Sequence, residues 1–443
     1  MQGLSVELKA QKRFACAAAM AAVFVLLAGG PDALANTVRC VPNLHVNSGC
    51  VAPAYPTISA AVAAASGQDV IVVGPGYYNE TVAIAAPITL LGAQAGRDAR
   101  VGRNNPAAES TVDASGSPIG SGDGAAFLVL APNVVIDGFT IEGGTNGTTA
   151  YASGVFVSNT GPTTILNNII QNNAIGAQAY QSNSQLVEHN FFQTNNVGQA
   201  GSADPYFAGA TGWAVAVVDS QGNAISENKF NGNLASAVFI YGAAGTEVTR
   251  NTSTDDGSFA VFFASTNCYF SYNQGQDFGD QGFLNFAQPA AVDVALGNAG
   301  IQIIGNDLEN GMNSNGIGFT TIFTVGPNVG SSCSSCEVTG NTIKGFARNG
   351  IAAQVAGGVG TLVGSGISGN DVEDNGNDGI LLEEGSNSGN SLVDNKMQGN
   401  SVNDCEDDTY LLGGGAGTAG TYNTWFNNTG NSSSPLGLCA PLK

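Results

Sequence analysis

A short cassette recurs through this chain: an apolar run, an asparagine, a second short run and a turn rich in Gly or Asn. It is seen in ILNNIIQNN, ISENKFNGN and VTGNTIKG. Neighbouring cassette asparagines are 22, 23, 22 and 25 residues apart where they lie closest. A fixed period of this length is typical of a solenoid, in which each repeat packs on the next. The asparagines are Asn168, Asn190, Asn228, Asn251, Asn273, Asn306, Asn341, Asn370 and Asn395.

The cassettes are rich in Val, Ile, Phe and Thr, in short runs separated by Gly and Asn. Such runs predict short strands between turns, and therefore an all-β protein. A coil of about 22 residues holds three such strands, and successive coils stack at the roughly 4.8 Å spacing of paired strands. An asparagine at one place in every coil is expected to point inward, because its amide bonds to the amides above and below. We predict parallel sheets with an internal asparagine ladder.

Two further patterns concern insertions and the start of the solenoid. Asn190 and Asn228 are 38 residues apart, and the excess falls in VGQAGSADPYFAGATGW, which predicts an insertion in that coil. Upstream, TISAAVAAASG predicts a helix with Thr57 as its N-cap and Gly67 at its far end. A helix there would cover the open end of the first coil, whose core and strand edge are otherwise exposed.

The amino terminus has the features of a cleavable secretory signal. Basic residues precede FACAAAMAAVFVLLAGG, and an A-x-A site ends at Ala35. A membrane anchor is the alternative, but the apolar run is shorter than the roughly 20 residues that a span needs. We predict an exported protein without a transmembrane span in the mature chain. The predicted organisation is a signal peptide at 1–35, a disulfide segment at 36–54, a parallel β-helix domain at 55–404 and a capping segment at 405–443.

Charge and cysteine content narrow the possible partners and compartment. Without residues 1–35 the chain has 10 basic and 32 acidic residues. Nucleic acid is therefore excluded as an expected partner, because its binding depends on Lys and Arg. Seven cysteines remain, which fits an oxidising compartment, although C-x-x-C also occurs in redox and metal sites. The candidate pairs are Cys40 with Cys50, Cys333 with Cys336 and Cys405 with Cys439, with Cys268 left over.

The segment YPTISAAVAAASGQDVIVVGPGYYNETVAI and the cassettes NGIGF, NGIAA and DGILL carry a resemblance to a known family. They resemble the right-handed parallel β-helix proteins of the pectin lyase-like superfamily, and the opening segment resembles pectinesterase-type and NosD-type β-helices. The resemblance covers nearly all of residues 55–404. It implies one right-handed, single-stranded parallel β-helix with a groove over one sheet. It implies no single activity, because the superfamily includes lyases, hydrolases, esterases, epimerases and adhesins.

One group of carboxylates is a candidate metal site. Asp255 and Asp277 are 22 residues apart, which is one coil. Stacked turns would bring their carboxylates to about 5 Å, where the repulsion is roughly 3 kcal/mol at an effective dielectric of 20. Such a pair favours a cation, and calcium prefers oxygen ligands of this kind. Ordinary solvated turns are the alternative. The candidate calcium ligands are Asp255, Asp256, Asp277 and Asp280.

Two other groups are candidates for contacts with substrate. Tyr206, Phe207 and Trp213 lie in or at the end of the insertion, where exposed aromatic rings would stack on sugars. The alternative is that they fasten the loop to the coil wall. Lys229 and Arg250 flank neighbouring ladder asparagines and are weak candidates for a catalytic base or a substrate anchor.

The sequence therefore predicts an exported parallel β-helix that binds or processes polysaccharide. A uronate-containing polymer bridged by calcium is the more specific expectation, with lyase or esterase-type action if the protein is catalytic. The competing hypothesis is a non-catalytic adhesion or structural solenoid, whose repeats give a long binding surface and no reaction. The sequence alone does not decide between an enzyme and a binding protein.

Overall fold

Three long parallel sheets form the wall of a β-helix. The computed structural model describes residues 37–42, 54–116, 124–145, 152–197, 211–279, 289–320, 332–354, 362–385 and 387–442. In each coil the chain passes from sheet A to sheet B to sheet C and then returns to sheet A one coil further on. Each strand pairs in parallel with its equivalent in the next coil, as Val248 does with Phe270. The predicted all-β parallel β-helix is confirmed.

The strands are short, and sheet C contains the longest of them. Sheet A comprises Val38–Val41, Val70–Val73, Thr89–Leu91, Val134–Asp137, Thr163–Leu166, Leu186–Glu188, Ala224–Ser226, Glu247–Thr249, Tyr269–Ser271, Gln302–Ile304, Glu337–Thr339, Gly366–Ser368, Ser391–Val393 and Thr424–Phe426. Sheet B comprises Gly76–Asn79, Ser110–Asp113, Thr140–Glu142, Ile169–Gln171, Phe191–Gln193, Lys229–Asn231, Thr252–Thr254, Gln274–Phe278, Asp307–Gly311, Thr342–Lys344, Asp371–Glu373 and Lys396–Gln398. Sheet C comprises Val82–Ile84, Phe127–Val129, Ser153–Ser158, Ile175–Tyr180, Trp213–Val218, Ser236–Tyr241, Ala260–Phe263, Ala290–Val294, Asn315–Phe319, Ile351–Ala353, Ile380–Leu382, Cys405–Asp407 and Ser433–Ser434. A small fourth sheet comprises Asn298–Ala299, Cys333–Ser334 and Leu362–Val363, and 3-10 helices span Pro106–Ala108, Asp408–Leu412 and Thr418–Gly420.

The helix α1, Ile58–Ala64, lies against the first coil as the sequence predicts. Thr57 is its N-cap, and the Thr57 side chain accepts a hydrogen bond from the Ala60 amide. Glu80, on the first coil, accepts hydrogen bonds from the backbone amides of Ile58 and Ser59. A carboxylate at this end is favourable, because the first amides of a helix have no intrahelical partner. The helix ends three residues earlier than the sequence predicts.

The cassette asparagines form a continuous internal ladder at the turn between sheets A and B. All nine are buried, and the ladder continues to Asn428. Each Nδ2 donates to the Oδ1 of the next asparagine, as from Asn251 to Asn273 at 3.1 Å and from Asn273 to Asn306 at 3.0 Å. The same Oδ1 also accepts a hydrogen bond from the backbone amide of the preceding ladder asparagine. These bonds satisfy polar groups that would otherwise be costly to bury.

The residue before each ladder asparagine adopts a left-handed backbone conformation. His189, Arg250 and Tyr272 all have φ of +56°, and glycine occupies the equivalent position at Gly340, with φ of +65°. The side chains at this position point away from the buried ladder. Because these side chains take no part in the ladder, the residue type at this position varies. The asparagine recurs because its side chain forms the ladder hydrogen bonds.

We expect Gly340→Ala to lower the free energy of unfolding by about 1–2 kcal/mol, because a left-handed conformation costs a non-glycine residue about that much. A Cβ at Gly340 would meet no atom within 4 Å, so crowding does not contribute. Gly340→Asn should cost less, since asparagine tolerates this conformation. Urea unfolding of the three proteins measures both differences. Equal stability of the alanine and glycine proteins would contradict the expected strain.

Aromatic side chains fill part of the interior. Phe192 and Phe230 stack at 5.3 Å between ring centroids, and Phe259 packs 6.4 Å from Phe230 and 6.1 Å from Phe278. The sequence predicts an internal aromatic stack, and these rings provide one. The sequence leaves open which of the rings on successive sheet C coils face inward. Phe239, Tyr241 and Phe263 alternate with core residues of sheet C, and Phe283 and Phe286 lie outside the described residues.

Two of the three disulfides that the sequence offers as candidates are present in the described residues. Cys333 pairs with Cys336, Cys405 pairs with Cys439, and Cys40 is also disulfide-bonded. Cys268 is a buried free thiol. In the described part of the chain, no helix has the length and apolar character needed to cross a membrane. The predicted signal peptide lies outside the described residues.

Candidate functional site

Four carboxylates gather on the outer face of sheet C, and we call Asp378, Glu383, Glu406 and Asp408 the sheet C acidic cluster. Cys405 and Asp407 are buried in the core, so Glu406, which lies between them on the strand, points outward. Strand Ile380–Leu382 pairs with Cys405–Asp407 in the next coil. This register places the two halves of the cluster on adjacent coils.

Hydrogen bonds from backbone and side-chain amides hold the carboxylates of the cluster in place. The Asn403 backbone amide donates to Asp378 Oδ1 at 2.9 Å, and Asn403 Nδ2 donates to Glu406 Oε2 at 3.1 Å. On the neighbouring coil, Gln354 Nε2 donates to Glu383 Oε1 at 2.9 Å. Gln354 is itself held by Asn315 Nδ2 at 3.0 Å. The carboxylates are therefore oriented by a hydrogen-bonded frame rather than projecting freely.

The electrostatic environment raises two carboxyl pKa values in the cluster. Burial raises the pKa of Asp378 to about 7, and a hydrogen bond and repulsion from Glu406 add to the effect. Burial also raises the pKa of Asp408 to about 6, helped by the charges of Glu406 and Glu383. Carboxyls with separated pKa values near neutrality are suited to general acid and base chemistry.

A fifth carboxyl, Asp293, lies further along sheet C. It is 2% exposed, and its Oδ1 accepts a hydrogen bond from Thr320 Oγ1 at 2.7 Å. The other oxygen, Oδ2, is buried without a hydrogen-bond partner. Burial raises the pKa of Asp293 to about 7, so the group retains its proton at a pH where an ordinary aspartate is ionised. The outer face of sheet C thus carries two separate places where a carboxyl retains its proton.

The family comparison agrees with this architecture. Residues 45–236 match the family described as protein of unknown function (DUF1565). The described strands form a parallel β-helix, and this family model covers fewer than half of the residues of the chain. No curated protein matches the chain.

Several solved structures are similar to this β-helix. DFA-IIIase from Arthrobacter chlorophenolicus A6 without its lid is 15% identical, with 73% of this chain and 83% of that one covered and a TM-score of 0.45. The catalytic domain of a GH87 α-1,3-glucanase in complex with tetrasaccharides is 11% identical, with 85% and 66% covered and a TM-score of 0.46. The A-module of Azotobacter vinelandii mannuronan C-5 epimerase AlgE6 is 15% identical, with 87% and 91% covered and a TM-score of 0.45. At these identities the likeness concerns the fold alone.

The structure corrects the prediction that Asp256 is a metal ligand. Asp256 is fully buried in a second polar ladder, in which Asn173 bonds to Asn195 and Asn195 to Asn233. Asp256 Oδ1 then accepts from Asn233 Nδ2 at 2.8 Å, and Oδ2 accepts from Ser253 Oγ at 2.6 Å. Both oxygens are engaged in the interior of the β-helix, so they are not available to an ion.

Of the remaining candidate ligands, Asp255 and Asp277 occupy equivalent turns of adjacent coils. The Asp255 amide donates to the Gln276 carbonyl, and both aspartates have positive φ. Asp255 is exposed and Asp277 is half-buried. Asp280 lies outside the described residues. The predicted group of four carboxylates is therefore reduced to two that are placed on the surface.

The predicted aromatic contacts also need a correction. Trp213 is 1% exposed and begins a sheet C strand, where its ring stacks on Phe239 at 4.2 Å. It is a packing residue and has no free ring face for a sugar. The prediction was wrong for Trp213 because the strand starts at this residue, so it belongs to the coil wall and not to the insertion. Tyr206 and Phe207 lie outside the described residues.

Neither predicted basic candidate lies on sheet C. Lys229 is on sheet B with its Nζ 4.9 Å from the centre of the Phe191 ring. Arg250 is in the turn between sheets A and B, where its Nε is 3.2 Å from Glu227 Oε1. Each has a local partner, and their placement gives no support to a catalytic role.

A further cluster, Glu188, His189 and Glu227, brings its ligand atoms within 4.8 Å of one another. Glu227 also lies 3.2 Å from Arg250 and 3.8 Å from Arg100. Burial disfavours ionisation of Glu227, but bonds from His189 and Arg250 outweigh it and lower its pKa. Two arginines already balance these carboxylates, so the cluster is an ion-pair network and not a cation site.

From the sequence, the acidic run at Asp404, Glu406, Asp407 and Asp408 is interpreted as a solvated turn, with calcium binding as the alternative. Asp378 and Glu383 are not singled out, although a signal exists. Asp378 and Glu383 flank the core cassette GILL, and Asn403 and Asp408 occupy the same positions 25 residues later. The run Asp404 to Asp408 reads as a solvated turn unless the strand register is known. Once the strand register is known, Asp407 is seen to point inward and Glu406 outward.

Proposed function

We propose that this protein is exported and that it binds and cleaves polysaccharide at the sheet C acidic cluster. The observation that carries the proposal is the raised pKa of Asp378, about 7, in a cluster that also contains Glu406 and Asp408. A long sheet face suits an extended polymer, because each coil adds an equivalent stretch of surface. The resemblance to a superfamily of polysaccharide-active β-helices supports the substrate class, and the disulfides support export.

Cleavage of a glycosidic bond needs a proton donor for the leaving oxygen and a second carboxylate near the sugar. Asp378 fits the donor, because it retains its proton up to a pH of about 7 and is positioned by the Asn403 amide. Asp408, with a pKa of about 6, fits the group that acts in its ionised form. Glu406 contributes to raising the pKa values of both groups. The arrangement therefore separates an acid from a base within one cluster.

The expected pH profile of kcat/KM follows from these two groups. The rate should fall as pH rises through about 7, because Asp378 then loses the proton that it must donate. It should also fall as pH drops below about 6, because Asp408 is then protonated. A bell-shaped profile with its maximum between these values supports the assignment, whereas a rate that climbs steadily to alkaline pH contradicts it.

The test of the proposal is cleavage of a panel of neutral and uronate polysaccharides, followed by new reducing ends. Asp378→Asn should reduce the rate by about 10²–10⁴-fold, the usual contribution of a general acid. Glu247→Gln, on an exposed position of sheet A, is the matched control and should leave the rate unchanged. If no polymer yields reducing ends, or if Asp378→Asn cleaves normally, the proposal is wrong.

The more specific hypothesis of a uronate polymer bridged by calcium rests on Asp255 and Asp277. They occupy stacked turns, and two neighbouring carboxylates favour a shared cation. Unsaturated ends that form only with calcium, and that disappear in the Asp255→Ala, Asp277→Ala variant, would favour this lyase-type hypothesis.

The adhesion hypothesis is favoured instead if polysaccharide binds and the Asp378→Asn variant retains the binding, but no product forms with any polymer.

A further inference from the structure

We propose that the outer face of sheet B carries a binding groove for a neutral, hydroxyl-rich oligosaccharide. This sheet B groove has a volume of about 360 Å³ and is formed by residues of the first coils together with the segment 103–109. It lies on a different sheet from the sheet C acidic cluster, and near the opposite end of the β-helix. The groove would hold a glycan chain without taking part in its cleavage.

One wall of the groove is the connection that contains Arg103. Its guanidinium contacts the carbonyl oxygens of Asn167 and Phe139 and forms an ion pair with Glu109. The Arg103 and Glu109 side chains are only 4% and 6% exposed. These contacts tie the connection to two later coils. The wall is therefore a fixed part of the fold.

The floor of the groove is a row of polar side chains on successive sheet B strands. Gln193 Nε2 donates to Gln171 Oε1 at 2.6 Å, and Gln171 Nε2 donates to Glu142 Oε2 at 2.8 Å. Each amide has further donor and acceptor capacity beyond these bonds. Sugar hydroxyls both donate and accept, so the row matches a polyhydroxylated ligand. The ordered row also limits the entropy lost on binding.

Tyr77 provides an aromatic surface at one end of the groove. Its side chain is 62% exposed, and its hydroxyl donates to Asp113 Oδ2. That hydrogen bond restrains the ring while leaving much of it accessible. Flat, restrained aromatic rings with a polar tip are suited to stacking on the apolar face of a sugar.

Charge sets the class of glycan. The buried Arg103 is neutralised by Glu109, which leaves Glu142 as an unbalanced negative group on the floor. A uronate chain would meet repulsion from Glu142 here, because among the described residues that line the groove the one cation, Arg103, is already paired with Glu109. Coils are spaced by roughly 4.8 Å, a distance close to the length of one pyranose unit in an extended chain. A neutral chain along the axis therefore meets equivalent polar groups at each sugar.

The test is isothermal titration of the full chain with neutral hexasaccharides (cello-, xylo-, manno- and chitohexaose) and with an oligogalacturonate. At least one neutral ligand should bind, and Tyr77→Ala should raise its Kd at least tenfold. Gln171→Ala should raise Kd by a smaller factor, whereas Tyr77→Phe should keep the stacking surface and change Kd less than threefold. Tyr272→Ala is the matched control, because Tyr272 is 63% exposed and lies outside the groove. Its Kd should equal that of the unmodified protein.

Binding of no neutral ligand, preference for oligogalacturonate, or an unchanged Kd in Tyr77→Ala would each overturn the proposal. Thermal unfolding of each variant verifies that the fold is intact, which we expect because Tyr77 is an exposed side chain. The two proposed sites fail independently. Asp378→Asn should abolish cleavage and retain neutral-glycan binding, whereas Tyr77→Ala should weaken binding and retain cleavage of short substrates.

Discussion

Replacing Asn273 with alanine is expected to lower the free energy of unfolding by on the order of 4 kcal/mol, because it breaks the ladder at its centre. Asn273 Nδ2 donates to the Val248 carbonyl at 3.0 Å, and its Oδ1 accepts from the Asn251 backbone amide at 2.9 Å. The substitution leaves both backbone groups buried without these bonds. Each such group costs about 1–3 kcal/mol, and the space left by the side chain adds to the loss.

Chemical denaturation of Asn273→Ala beside Asn431→Ala isolates this effect. Asn431 is exposed and its substitution should change stability by less than about 0.5 kcal/mol. A second ladder position, Asn251→Ala, should resemble Asn273→Ala because its bonds are equivalent. Similar stability for the ladder and surface variants would show that the coils do not depend on the asparagine ladder.

The fold is predictable because its main signals are local and repeated. From Asn168 onward, the inward asparagine at the A-to-B turn recurs with the coil period, and a residue in the left-handed conformation precedes it. The helix over the first coil is predictable from Thr57 and the apolar run that follows. These features depend on neighbours in sequence or on a fixed offset, so one chain is enough to reveal them.

The site is less predictable because the same residue types serve both faces of the wall. Asp256 and Asp378 are both aspartates beside a glycine near a sheet C strand, yet Asp256 completes an internal ladder and Asp378 belongs to the outer cluster. Trp213 resembles a loop residue until the strand start is known. Which face a side chain occupies depends on register, and a shift of one residue reverses it.

The pH dependence of stability separates these two kinds of aspartate. Burial raises the pKa of Asp256 to about 7, and the charge of Asp255 adds to the effect. In the unfolded chain the pKa is about 3.9, so between pH 4 and pH 7 only the unfolded state releases the proton. The free energy of unfolding therefore falls as pH rises through this range. For a difference of about 3 pH units, this group alone accounts for roughly 4 kcal/mol.

Asp256→Asn should remove that contribution, because an asparagine does not ionise and can still accept from Asn233 through its Oδ1. The stability difference between Asp256→Asn and the unmodified protein should be smallest near pH 4 and grow to roughly 4 kcal/mol in favour of the variant by pH 8. Asp293 and Asp378 also have raised pKa values and persist in both proteins, so their effects cancel in the difference. Asn431→Ala removes no titratable group and is the control, so its stability difference from the unmodified protein should not grow with pH. A difference between Asp256→Asn and the unmodified protein that is constant with pH would mean that Asp256 is ionised inside the ladder, and the interior would then have to stabilise a buried charge.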